Sequence, residues 1–186
     1  NLLPMAYVRP VYDLFCGMVS LQEKLIRNFP QASITLHTRS VLEKVVRDRY
    51  PDCLVNEFPA GLEEIVFING RTLLNSETEL NKLGKNQSFI INDTVVAARL
   101  SGAELTMPVE TVQNGITFDL DGTAFEKQKI DGVLVEYIWD LIQANGDQIR
   151  SDFALATQGS EESAIDDVTV IHNQNVFIDK TAEIMP

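Results

Sequence analysis

A chain of 186 residues with 45% hydrophobic and 23% charged residues suits one folded domain, or one domain with an appendage, and is too apolar for extended disorder. Its formal net charge of −12 repels nucleic acid and anionic membrane surfaces, and the densest basic stretch, residues 39–49, is diluted by Glu43 and Asp48. No apolar run approaches the roughly 20 residues needed to span a bilayer. Cys16 and Cys53 form neither a CxxC nor a metal-ligand spacing, so a reduced cytoplasmic setting is expected. His37 and His172 have no neighbouring Cys or His and read as surface or strand-end residues rather than ligands.

The opening residues run Asn1-Leu2-Leu3-Pro4-Met5-Ala6-Tyr7-Val8-Arg9-Pro10. Two prolines preclude a regular helix or a central strand here. An apolar, proline-pinned arm ending in one cation is expected to lie against the body of the protein and to present Arg9 to an anion.

Ser20-Leu21-Gln22-Glu23 is a capping-box sequence, and Leu21, Leu25, Ile26 and Phe29 fall on one helical face before Pro30. Residues 33–37 alternate and contain β-branched side chains, which predicts a strand. Val41, Leu42, Val45 and Val46 mark a second helix that stops before Pro51, and residues 53–55 a short strand. Residues 64–68 form a near-continuous apolar run closed by Asn69-Gly70, the pattern of a strand buried on both faces with a turn at its carboxyl end. A second capping box at 76–79 predicts a short helix, and residues 89–91 and 94–100 two strands. Residues 115–119 suggest another strand, 119–122 a turn and 133–137 a strand. Residues 139–142 suggest a helical turn stopped at Asn145-Gly146, with a further helix through Ile149, Phe153 and Leu155. The alternation predicts an α/β fold with a parallel or mixed sheet and flanking helices. Ligands in such sheets bind beyond the carboxyl ends of strands, which singles out Asn69, Gly70 and the arm.

Residues 157–163 are small, polar and acidic and read as a linker. Beyond them, Val176 and Ala182, and Ile178 and Ile184, stand six apart, the period of a β-helix coil. The expected organisation is an α/β domain over 1–156, the linker, and the start of a left-handed β-helix over 164–186. A C-terminal hairpin is the alternative for that last stretch.

The arm, followed by Gly17-Met18-Val19-Ser20-Leu21-Gln22-Glu23-Lys24-Leu25, resembles the opening of sugar nucleotidyltransferases, with a "Leu-x-Pro-Leu-Thr-x-x-Arg-Pro-Lys" loop and a "Gly-x-Pro-Leu-Leu" helix. Residues 65–70 resemble that family's strand ending in "Asn-Gly-Asp". Trp139, Asp140, Asn145, Ile149, Asp152 and Phe153 resemble a "Trp-Asp-x-x-x-x-Asn…Ile-x-x-Asp-Phe" stretch. That stretch is associated with a divergent bacterial branch related to N-acetylglucosamine-1-phosphate uridylyltransferases and glucose-1-phosphate thymidylyltransferases, whose members carry a left-handed β-helix. The resemblance implies a Rossmann-like (GT-A-like) mixed sheet, and transfer of a nucleotidyl group from an NTP to a sugar phosphate with Mg2+ and release of pyrophosphate. It further implies Arg9 as the catalytic cation, with Leu3, Pro4, Arg9, Asn69, Gly70, Trp139 and Asp140 binding substrate. A trimer through the β-helix is the implied assembly.

Two positions depart from the pattern. Val11 stands where the resemblance implies Lys, and Arg71 where it implies a metal-binding Asp. Both favour an alternative in which the domain is a non-catalytic binding or assembly module beside a β-helix acyltransferase. A second alternative rests on Phe118-Asp119-Leu120-Asp121-Gly122-Thr123, which resembles the nucleophile loop of haloacid-dehalogenase-type phosphatases, with Asp166-Asp167 as a distal metal site.

Overall fold

Ser20 ends a short β-hairpin and starts the first helix. Its side chain accepts from the Glu23 amide at 3.2 Å while Glu23 accepts from the Ser20 amide at 2.8 Å, so the capping box is complete. A computed structural model describes residues 2–74, 80, 82–105 and 125–157, with only the backbone of Asn28. The hairpin pairs β1 (Phe15–Cys16) with β2 (Val19–Ser20), and α1 spans Leu21–Asn28. Removing the cap with Ser20→Ala is expected to lower stability by about 1 kcal/mol in urea unfolding.

β3 (Thr35–Leu36) and β4 (Leu54–Val55) form a parallel pair around α2 (Glu43–Arg49). Leu42 and Val46 face inward there, while Val41 and Val45 face solvent, so the buried face is narrower than the sequence suggested. The larger sheet has the order β5-β8-β7-β9, from β5 (Glu64–Ile68), β8 (Thr94–Ser101), β7 (Gln87–Ile91) and β9 (Glu126–Lys129). β7 pairs with β9 in parallel and with β8 antiparallel. Asn92 and Asp93 join β7 to β8 at φ 49° and 61°, the left-handed pair that a two-residue hairpin turn requires.

One face of this sheet packs Phe89, Ile91 and Val96 with Leu25 of α1 and Phe29, which follows it. The other packs Ile90, Val95, Ala98 and Leu100 with Ile65 and Phe67. The mixed α/β class read from the sequence is the class observed. The strand buried on both faces, however, is β8, not β5. β5 pairs only with β8 among the described residues and is half-exposed along its length, because the sheet places it at an edge.

The C-terminal part differs more. β6 (Thr72–Leu73) pairs with β10 (Val133–Leu134), and the strand expected over 133–137 ends there. Val135 N–H still bonds across to Arg71 O at 2.9 Å, and the next amides turn away, those of Glu136 and Tyr137 donating to the Asp140 carboxylate. One continuous helix, α3 (Ile138–Thr157), then replaces the expected turn, stop and second helix. Asn145-Gly146 does not end it, because the Asn145 side chain bonds a distant loop and the packing on both sides of Gly146 holds the helix together. Thr157, placed in the linker by the sequence reading, is the last residue of α3. The helix expected at 76–79, the strand and turn at 115–122, both aspartate pairs of the phosphatase motif, residues 158–163 and the β-helix at 164–186 lie outside the described residues.

Candidate functional site

Leu2 and Ala6 anchor the opening arm in a core cluster with Leu14, Leu21, Leu73, Val135 and Leu141. This cluster joins the arm, α1, β6 and the first turns of α3. Between the anchors the chain turns, with Ala6 N–H on Leu2 O at 3.1 Å and Tyr7 N–H on Pro4 O at 3.0 Å. Leu3, Pro4, Tyr7, Val8 and Arg9 are left exposed on the outside. Pro10 is buried and opens a 3-10 turn, Val11–Asp13. Arg9 has no ion-pair partner among the described residues.

The Asn69-Gly70 turn at the carboxyl end of β5 meets this arm through Tyr12. A Cβ built on Gly70 would lie 3.2 Å from both Cβ and Cδ1 of Tyr12, closer than side-chain contacts ordinarily come. Asn69 shapes the turn by accepting from the Arg71 amide at 3.1 Å through Oδ1 and from Thr72 N–H at 2.9 Å through its carbonyl. Arg9 lies three residues before Tyr12 in the chain, and Arg71 directly follows Gly70. Val135, three residues before α3, donates its N–H to Arg71 O at 2.9 Å. Of the sequence-predicted residues, Gly70 is in direct contact with the segment that follows the arm, through Tyr12.

Trp139 and Asp140 sit at the head of α3. Trp139 is 56% exposed and stacks on Tyr137, with ring centroids 4.5 Å apart and planes 9° apart. Asp140 Oδ2 accepts from the amides of Glu136 at 2.9 Å and Tyr137 at 2.8 Å, which is the work of an N-terminal helix cap. That leaves Oδ1 for any ligand.

Two buried carboxylates to which sequence reasoning assigned no functional role, Asp13 and Asp152, hold neighbouring segments together. Asp13 accepts from Arg49 Nη1 at 2.6 Å and from the Tyr50 hydroxyl at 2.8 Å. Burial first, then that hydrogen bond and the Asp13 charge, push the Tyr50 phenol up to about 12. Burial and the neighbouring Asp13 charge also raise Tyr12. Asp152 of α3 accepts from Lys24 Nζ at 2.6 Å on each oxygen and from Met18 N–H at 2.8 Å. Gly17 N–H donates to Asn145 Oδ1 at 2.7 Å. The signal was present in the motif residues Gly17, Asn145 and Asp152, but the motif did not say that they touch one another.

His37, beyond β3, packs against Phe58 at 4.7 Å between ring centroids and has a buried Nδ1 with no hydrogen-bond partner. Burial lowers its pKa to about 4. An unfolded imidazole titrates near 6.5, so below that pH the unfolded state binds the extra proton. The neutral ring's stability is complete above about pH 6.5 and is lost as pH falls through about 4, by up to roughly 3 kcal/mol. Urea unfolding at pH 7 and pH 4 should therefore differ more for the parent than for His37→Phe.

Among the described residues, no three His, Cys, Asp or Glu side chains are grouped to hold a metal ion, and Arg71 follows Gly70 where the resemblance implies a carboxylate. The described donors do not fit a magnesium site. No helix among them is long and apolar enough to cross a membrane.

Comparison with known proteins gives one result. The family model described as sugar nucleotidyl transferase matches residues 1–161. No curated protein and no solved structure matches the chain. The matched span takes in the arm, the Asn69-Gly70 turn, both buried carboxylates and all of α3. The chain belongs to the sugar nucleotidyl transferase family.

Proposed function

We propose that this protein transfers a nucleotidyl group from a nucleoside triphosphate to a sugar 1-phosphate. An oxygen of the sugar phosphate attacks the α-phosphorus, the bond to the β-phosphate bridging oxygen breaks, and pyrophosphate leaves with the electron pair. Such a displacement is served by positioning and fixed positive charge rather than by a protein nucleophile. The observation that supports the reading is the close approach of the Asn69-Gly70 turn to Tyr12, three residues beyond Arg9.

In this reading Arg9 is the catalytic cation and holds the leaving phosphates. Arg71, next to Gly70, adds charge. Leu3 and Pro4 line the rim, and the Cβ-free Gly70 lets a ligand approach the backbone. The outer face of Trp139 stacks on the base or the sugar, and Asp140 Oδ1 accepts from a hydroxyl. Magnesium enters as the counter-ion that a nucleoside triphosphate brings with it, and no step is assigned to it. The β-helix over 164–186, a trimer through it, a bacterial source and a cytoplasmic location belong to the same proposal.

The test is pyrophosphate release, assayed over several NTP and sugar 1-phosphate pairs. Turnover with one pair supports the transferase, and Arg9→Ala is then expected to lower kcat/KM on the order of 10²-fold. Val11, which packs against the arm's core cluster, and Arg71 favour a second reading as a binding module. Nucleotide binding without turnover by any pair would leave that module alone. Trp139 is the chain's one tryptophan, so quenching of its emission by a nucleoside triphosphate reports binding directly.

A further inference from the structure

We infer that Arg39 is a positioning residue for the Arg9 loop: its guanidinium fixes the arm's backbone so that Arg9 is held ready for an anion. The inference rests on the reading of Arg9 as a phosphate ligand. Arg39 Nη2 donates to Ala6 O and, at 3.3 Å, to Tyr7 O. It precedes the 3-10 turn Ser40–Leu42, which runs directly into α2. The far end of α2 supplies Arg49, and the next residue, Tyr50, supplies the second donor; together they hold Asp13. One short segment, residues 39–50, thus grips the arm at two points, before and after residues 8–12.

The two grips differ in kind. Asp13 is buried, so breaking its contacts disturbs the core. Arg39 is exposed, and one of its two acceptors, Tyr7 O, belongs to an exposed residue that water can satisfy when the guanidinium is removed. Its loss frees the arm without leaving a buried charge. Val8 and Arg9 are exposed, and Arg39 ties the two residues before them, Ala6 and Tyr7, to the segment that leads into α2. A loop that must be ordered when the anion arrives binds it more weakly than one already held.

The experiment is a double-mutant cycle read by titration with inorganic pyrophosphate, with thermal melting of each variant alongside. Arg39→Met is expected to weaken binding roughly tenfold and to melt within about 3 °C of the parent. Arg9→Ala weakens binding at least as much. The double variant should bind no more weakly than Arg9→Ala alone, because Arg39 acts through Arg9. Additive losses would overturn the inference, since Arg39 would then meet the anion itself. It is equally overturned if Arg39→Met binds like the parent while Arg9→Ala does not, or if Arg39→Met melts well below the parent. If pyrophosphate does not bind the parent, or Arg9→Ala leaves binding unchanged, the reading of Arg9 fails and the inference falls with it.

Discussion

Asp152→Ala is expected to lower the unfolding free energy by about 3–5 kcal/mol, measured by urea unfolding at neutral pH. The carboxylate side chain is 3% exposed and that of its partner Lys24 only 10%, so truncation leaves an ammonium with little access to water. The same change removes the acceptor of Met18 N–H. Breaking a buried pair on one side is far more damaging than replacing both members, because the desolvated survivor has no counter-charge. Lys24→Met combined with Asp152→Leu should therefore recover much of the loss. A loss under about 1 kcal/mol for Asp152→Ala would mean that the pair behaves like a surface ion pair and does not hold α3 to the hairpin.

Gly17→Val is the second large effect, expected to exceed about 4 kcal/mol and to leave little folded protein at 37 °C. Gly17 has φ +84°, a conformation in which a β-branched residue is strained. Space fails as well: an added Cβ would come within 2.9 Å of the Gln148 backbone and would press on the Asp152 carboxylate. Backbone of α3 cannot move away without releasing the Asn145 and Asp152 bonds. The two lesions therefore share one contact, and their costs should add to less than their sum. Gly17→Val measured in the Asp152→Ala background tests this, with full additivity as the contrary result.

Much of the fold was written in short-range signals. Ser20 and Glu23 meet within one helical turn, Pro30 follows the end of α1 and Pro51 that of α2, and Asn92-Asp93 is a two-residue hairpin turn. The failures came where a partner far along the chain decides. Asn145-Gly146 has the local chemistry of a helix end, since mid-helix Gly is unfavourable by about 1 kcal/mol relative to Ala. Asn145 instead uses its side chain on Gly17, and Leu141 and Asp152 pack on either side of the pair, so α3 continues. The apolar run of β5 carries no mark of its edge position, because Ile65 and Phe67 are drawn into a core beneath the sheet.

The site was legible to a similar depth. Proline placement and the lone cation announced the arm, and Asn69-Gly70 announced a turn at a strand's end. That they meet at Tyr12 follows only from the fold. Asp140, which the resemblance implied on substrate, is the third residue of α3, where its carboxylate accepts two amides. Asp13 gave little warning in a run of Val11, Tyr12 and Leu14, because Arg49 at the end of α2 and Tyr50 just after it reach it from far along the chain.

The most direct test of the arm as an anion-binding device is titration of inorganic pyrophosphate into the parent and Arg9→Ala at fixed ionic strength. A Kd at least about tenfold higher for Arg9→Ala is the predicted result; equal Kd values for the two proteins would contradict it.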